Sequence, residues 1–349
     1  MPASPKIKVK RVLVIGLGQL GLPVAKFILS KGFDVSGYDI SNETMIQAKK
    51  NTGIKTTTSF KNFDIYIVCI STHNPTDIYS PQIEGIFSVI NKISSEAKDG
   101  ALVSIESTIP QGTSKKVFEL LEHRLHVVHA PHRWYSIDEQ NYGVNQLRVI
   151  GGVNPCCLKL GLDFYTGNSE CKSSKNSNDG NLLLNYNRQE NNNRQENNKV
   201  FADNSQLNLI DDSSYSQDTV IDSKNNKSLA IPMHAVSSVE IAELTKIIEN
   251  SHRYLQIAFA EELYLYCQSN NILFSDLRDA LNTKWNVEIL EPREGIGGHC
   301  LPKDTRMFLN SSNMKSKILQ SAIEVDSLYR DFRSRKEKKI IASIENLKN

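Results

Sequence analysis

Short apolar runs alternate with helix-spaced apolar positions through the first half of the chain. Residues 12–15 form a strand-length apolar run, 22–31 repeat apolar positions at helical spacing, and 33–38 return to a strand pattern. The alternation continues with strands at 65–70, 101–105, 125–129 and 147–150, and helices at 83–93 and 112–121. Strands that alternate with helices predict a mostly parallel, doubly wound α/β sheet over roughly the first 155 residues. Past residue 230 the pattern is helical. Ser237 and Glu240 have the spacing of a capping box ahead of a long helix over 236–268, with Val239, Leu244, Ile247, Ile248, Leu255 and Phe259 among its apolar positions. Further helices are predicted at 275–281 and 315–346, so this half reads as all-helical.

Between the halves the composition shifts. Residues 166–228 are rich in Asn, Ser, Asp and Gln, and the hexapeptide Asn187-Arg188-Gln189-Glu190-Asn191-Asn192 is repeated at once over 193–198. A polar tandem repeat buries too little apolar surface to offset the entropy of ordering it. It reads as a disordered insertion, with a partner-binding tail as the other reading. The expected organisation is 1–155 for the sheet domain, 156–230 for a linker holding the insertion, and 231–349 for a helical domain.

With 349 residues, 39% of them hydrophobic, the chain has material for two cores. A net charge of +2 points to neither nucleic acid nor an anionic membrane surface. No apolar run approaches the roughly 20 residues of a spanning helix, and the basic stretch 1–11 leads into a strand without the apolar core of a signal peptide. The six cysteines (Cys69, Cys156, Cys157, Cys171, Cys267 and Cys300) form no CxxC pair and no zinc spacing. Cys69 and Cys267 read as reduced core residues, and the expected location is cytoplasmic.

Two motifs carry chemistry. The first strand runs into Gly16-Leu17-Gly18-Gln19-Leu20-Gly21, then a helix, then a strand ending at Asp39. In that setting the glycines make a tight turn, admit a pyrophosphate and let helix and strand pack, and the helix N-terminus faces the phosphates. The motif predicts a Rossmann domain. Asp39, 21 residues after Gly18, suits a ribose 2′-hydroxyl and repels a 2′-phosphate, which favours NAD over NADP. The second motif is Gly295-Ile296-Gly297-Gly298-His299-Cys300-Leu301-Pro302-Lys303-Asp304. Lys303 is expected to lower the Cys300 pKa and favour the thiolate. A nucleophilic cysteine beside a hydride acceptor suggests oxidation through a thiohemiacetal and a thioester.

Together these residues resemble the UDP-glucose, UDP-N-acetylmannosamine and GDP-mannose 6-dehydrogenase family. The resemblance rests on Gly16 to Gly21 with Leu22-Pro23, Glu106-Ser107-Thr108-Ile109-Pro110-Gln111-Gly112-Thr113, Arg148-Val149-Ile150-Gly151-Gly152, Ala242-Glu243-Leu244-Thr245-Lys246-Ile247-Ile248-Glu249-Asn250, and the Cys300 loop. It implies four-electron oxidation of a sugar 6-hydroxyl with two NAD, and Cys300 as nucleophile. Lys246 and Asn250, one helical turn apart, match the pair that stabilises the developing anion. Asp304 matches the base that acts through water, and Thr108 the residue that holds that water. The resemblance places cofactor contacts at Gly16, Gly18, Gln19, Leu20, Gly21, Asp39, Ser71, Thr108 and Lys303. It places substrate contacts at Lys246, Asn250, Gly297, Gly298 and Cys300, calls for no metal, and implies a homodimer through helix 236–268.

Three departures stand out. Pro131-His132-Arg133 replaces the family's Pro-Glu-Phe or Pro-Glu-Arg, and Ser136 stands where the glucose enzymes carry a second glutamate. His132 is then either a base or an ordinary polar loop residue. The segment 282–300 looks most like the N-acetylhexosamine branch, while Pro302-Lys303-Asp304 looks like the glucose and mannose branches. The family's second Rossmann-like domain is expected after the linker helix, and the sequence ends at Asn349. That leaves three expectations: a separate polypeptide supplies the domain, the substrate is held differently, or the chain is a remnant. The alternatives to a nucleotide-sugar dehydrogenase are a non-catalytic, NAD-binding dimerising subunit and a two-electron β-hydroxyacid dehydrogenase. The latter would have no use for Cys300.

Overall fold

The computed structural model describes residues 9–74, 81–135, 137–167, 227–298, 300–311 and 316–348. The elements run β1 (Arg11–Ile15), α1 (Gly21–Ser30), β2 (Asp34–Tyr38), α2 (Asn42–Thr52), β3 (Lys55–Thr56), β4 (Ile65–Val68), α3 (Glu84–Glu96), β5 (Leu102–Ile105) and α4 (Thr113–Leu120). They continue with β6 (His126–His129), α5 (Glu139–Tyr142), β7 (Arg148–Gly152), α6 (Pro155–Tyr165) and β8 (Met233–Ala235). Four helices follow: α7 (Val239–Ser269), α8 (Phe274–Leu281), α9 (Cys300–Ser311) and α10 (Lys317–Lys348).

The strands form one sheet in the order β3-β2-β1-β4-β5-β6-β7-β8. All pairs are parallel except β6 with β7. Every residue of β4 and β5 is buried, as expected of a parallel sheet covered on both faces. Alternate residues feed opposite cores. Val12, Val14, Ile65 and Ile67 pack on one side with α1 and α6, whereas Leu13, Ile15, Tyr66 and Val68 pack on the other with α3 and α4. The order reverses between β1 and β4. Ligands of open α/β sheets bind in the crevice at such a reversal, outside the carboxyl ends of the strands.

The expected α/β architecture is present, with local corrections. The sheet gains a short last strand ahead of the helical half, where β8 pairs in parallel with β7, Arg148 opposite Met233. Its three residues are too short and too exposed to show alternation. Helix α6 also covers the sheet, burying Cys157, Gly161, Phe164 and Tyr165, so the sheet layer extends past residue 155. Helix α2 is polar along most of its length. It is set by its ends, with Ser41 accepting from the Thr44 amide and Gly53 closing it at φ 70°. The capping box at Ser237 and Glu240 does not form. Ser238 takes the N-cap position without a side-chain bond, and Glu240 pairs with Lys115 of α4 instead.

The expected insertion at 166–228 lies almost wholly outside the described residues. Its two ends are tied together: the Leu229 amide donates to the Phe164 carbonyl at 2.9 Å and the Ile231 amide to the Tyr165 carbonyl at 2.9 Å. Among the described residues no helix is long and apolar enough to cross a membrane.

Helix α7 is the spine of the second half, with α9 and α10 packed along it. Near its start, Glu243 accepts from the Gly112 amide at 2.6 Å and the Ser114 amide at 2.7 Å, so its carboxylate caps the N-terminus of α4. The loop before α9 is held by Asp326 of α10. That side chain accepts from the Ile296 amide at 2.9 Å and from Tyr254 of α7 at 3.1 Å.

Candidate active site

The glycine turn joins β1 to α1. Gly16 sits at φ 90°, and a Cβ there would lie 2.7 Å from the Cys69 carbonyl oxygen. A Cβ on Gly21 would fall 1.7 Å from the Gly16 carbonyl oxygen, so helix and turn touch backbone to backbone. Gly18 is different, since nothing lies within 4 Å of where its Cβ would be. Protein packing therefore explains Gly16 and Gly21, while Gly18 opens onto the crevice, where close approach of a pyrophosphate would use its missing side chain. Gln19 is exposed beside it, and Leu20 occupies the N-cap position of α1. Asp39 follows β2 and accepts from the Leu17 amide at 2.8 Å and the Ser41 amide at 2.9 Å. The carboxylate thus braces the turn and stands at its rim. These residues fit a dinucleotide.

The loops after β4 and β5 form the neighbouring wall. Ser71 is exposed and bonded to His73. Thr72 donates to the Thr108 carbonyl at 2.8 Å, which fixes Thr108 just beyond β5. Lys303 of α9 reaches this wall, donating to Thr72 Oγ1 at 3.0 Å and pairing with Asp304 at 3.1 Å. Lys303 is 4% and Asp304 1% exposed. Asn250 of α7 donates to the second oxygen of Asp304. One chain of contacts therefore joins Asn250, Asp304, Lys303, Thr72 and Thr108, with its Lys303–Thr72 link spanning 231 positions. Lys246 lies one turn before Asn250 on α7 and is half-buried.

Cys300 opens α9 and is exposed. Gly297 and Gly298 precede it, with open space at both Cβ positions and φ 73° at Gly298. The expectation that Lys303 leaves Cys300 as a thiolate is corrected. The protein packed around the thiol, and then Asp304 one turn on, push its pKa up; Lys303 and Lys246 pull it down by less. The Lys303 charge is largely spent on Asp304. The net direction favours the thiol over the thiolate.

A buried polar cluster lies beside this wall and includes His132. Glu106, directly after β5, contacts His132, Arg148 and the hydroxyl of Tyr165. Arg148 lies 2.7 Å from His132 Nε2 and stacks over the Tyr165 ring at 4.9 Å, while Ser104 meets the Tyr165 hydroxyl at 2.7 Å. Burial opposes ionisation of Glu106, but Arg148 and His132 outweigh it and hold the carboxyl well below the usual range. Burial, then Arg148, pushes His132 down to about 4, so it is neutral at pH 7. His132 is therefore an interior partner of Glu106 and Arg148, not a loop residue in solvent. Arg148 at the start of an apolar strand was the available signal, since such a charge is buried only with partners. Ser136 lies outside the described residues.

The strand order and glycine turn define a dinucleotide-binding Rossmann fold joined to a helical unit that brings a cysteine, a lysine and a carboxylate to its crevice. Two models of the UDP-glucose/GDP-mannose dehydrogenase family match the chain: the NAD binding domain over residues 43–167 and the central domain over residues 240–327, together more than half its length. The chain belongs to this family, and NAD is its cofactor. A UDP-N-acetyl-D-mannosamine dehydrogenase of Methanococcus maripaludis is 24% identical over 91% of the chain, which spans 65% of that relative. The protein of the same name from Campylobacter jejuni is 25% identical over 96% of the chain and 75% of its own length. The structure of UDP-D-ManNAc dehydrogenase from Pyrococcus horikoshii shares the fold, with a TM-score of 0.68 at 23% identity over 96% of this chain and 72% of that one.

Proposed function

We propose that the protein oxidises the 6-hydroxyl of a nucleotide sugar to the carboxylate, with a UDP-N-acetylhexosamine or UDP-hexose as substrate. The observation that carries this reading is the contact chain from Asn250 through Asp304 and Lys303 to the loops after β4 and β5, with Cys300 at its edge. A simple two-electron alcohol oxidation has no use for that cysteine. The names of the relatives favour the N-acetylhexosamine.

In this reading NAD supplies the hydride acceptor for two successive oxidations. Lys246 and Asn250 donate to the sugar oxygen as negative charge develops on it. The first oxidation yields the aldehyde. The Cys300 sulfur adds to its carbon, and the thiol proton passes through a water held by Thr108 to Asp304. The resulting thiohemiacetal loses its hydride to become a thioester. Water then cleaves the thioester, releasing the acid and restoring the thiol. Gly297 and Gly298 leave room for the sugar beside the sulfur. Asp39, Ser71 and the glycine turn hold the cofactor. The chain also forms a homodimer along helix 236–268, where Ile241, Ile248, Phe259 and Tyr266 are exposed. A monomer mass in light scattering at micromolar concentration would refute the dimer.

The test is NADH formation with a panel of UDP- and GDP-sugars. Two NADH per sugar are expected, and Cys300→Ser should fail to reach the acid. Lys246→Ala should lower kcat by about 10²–10³-fold with little change in NAD affinity. No turnover with any sugar, while NAD binds, would sink the proposal.

A further inference from the structure

The end of the sheet opposite the crevice carries a second constellation. His126 opens β6, and Cys156 and Cys157 lie in the first turn of α6. The two sulfurs each lie 3.6 Å from His126 Nδ1, and the three atoms all fall within 4.8 Å of one another. A tetrahedral zinc ion with Zn–S of about 2.3 Å and Zn–N of about 2.0–2.1 Å separates sulfur from nitrogen by about 3.6 Å and sulfur from sulfur by about 3.8 Å. Both sulfur–nitrogen edges already have that length.

We propose that His126, Cys156 and Cys157 bind a zinc ion in a three-ligand site whose fourth position is open to water. Two thiolates and an imidazole form a borderline-soft donor set that suits Zn²⁺ over Mg²⁺ or Ca²⁺. The surroundings are built for it. The Val127 amide donates to the Cys157 sulfur at 3.3 Å, and Asn154 accepts from the Cys157 amide at 2.9 Å, which holds the turn. Burial pushes the Cys157 thiol up, so a metal ion bound there displaces its proton. Cys156 is exposed and gives the ion a way in, while Cys157 is buried and shields one side. No zinc spacing is visible in the sequence because the ligands are neighbouring cysteines and a histidine 30 residues earlier.

The site lies at the end of β6 remote from Glu106 and the glycine turn, and it fastens β6 to α6. That helix delivers Tyr165 to Glu106 and Ser104. The proposal does not depend on the reaction proposed above.

The experiment uses the full chain, stripped with chelator and reloaded with zinc or cobalt alone. One zinc per chain is expected by elemental analysis. The cobalt form should show sulfur-to-metal charge-transfer bands and the visible bands of a tetrahedral ion. Cys156→Ser, an exposed substitution that spares the core, should weaken zinc binding about tenfold or more. His126→Ala should do the same, while Cys300→Ser and Cys171→Ser should leave it unchanged. Cobalt spectra without thiolate bands would overturn the proposal. So would unchanged binding in Cys156→Ser, loss in Cys300→Ser or Cys171→Ser, or a Cys156–Cys157 disulfide that persists under reductant.

Discussion

Glu106→Ala is expected to destabilise the protein by about 3–5 kcal/mol, because it leaves Arg148 buried without its counter-charge. Glu106 is 2% and Arg148 1% exposed, so water does not reach either to replace the lost partner. The substitution also removes the acceptor for the Tyr165 hydroxyl, which would retain Ser104 alone. Urea unfolding followed by circular dichroism measures the loss. Arg148→Met added to Glu106→Ala should recover a large part of it, because the unpaired charge is then gone. The folded-state pKa of Glu106 is depressed, so its contribution is present above the ordinary carboxylate range and disappears only as pH falls below that range. A loss under about 1 kcal/mol would mean that the cluster relaxes to admit water, and it would sink this account.

Glu261→Gln should have the opposite sign and its own pH signature. Glu261 lies on α7 with 0% exposure, and burial, then the charge of Asp326, pushes its pKa up to about 8. The unfolded carboxyl titrates near 4.3. Between those values the folded chain holds a proton that the unfolded chain has released. This group's contribution to stability therefore falls as pH rises, by up to about 1.4 kcal/mol per pH unit, and levels off above about 8. Glutamine keeps the shape without the titration. The variant should gain about 2–4 kcal/mol over wild type at pH 8 and match it near pH 4. Parallel stability curves for the two proteins from pH 5 to 8 would show that Glu261 is not held protonated.

The strand–helix alternation and the glycine turn were legible because burial on both faces of a parallel sheet imposes continuous apolar runs, and because backbone contacts leave no alternative to glycine at Gly16 and Gly21. Helix α2 and strand β8 were not legible. The one is decided by its caps, and the other is three residues long and exposed. Within the site, the pairing of Lys246 with Asn250 came from the family resemblance, their spacing showing only that they share a helix face, and Cys300 stood out by its glycines. The sequence could not show that Lys303 turns toward Asp304 and Thr72, so the thiolate expectation failed. An adjacent lysine in sequence says nothing about where its ammonium is already committed. The partnership of Glu106 and Arg148 with His132 was not legible because it spans three strand ends, which no local pattern records.

The two backbone bonds that join residues 229 and 231 to the end of α6 make the chain leave the sheet and come back through a single socket. A segment spliced between such fixed contacts adds its length at little thermodynamic cost, since closure entropy rises roughly 0.6 kcal/mol per doubling. Six further residues there add roughly a tenth of a kcal/mol. That socket offers a natural point for splicing in a tag or a whole foreign domain.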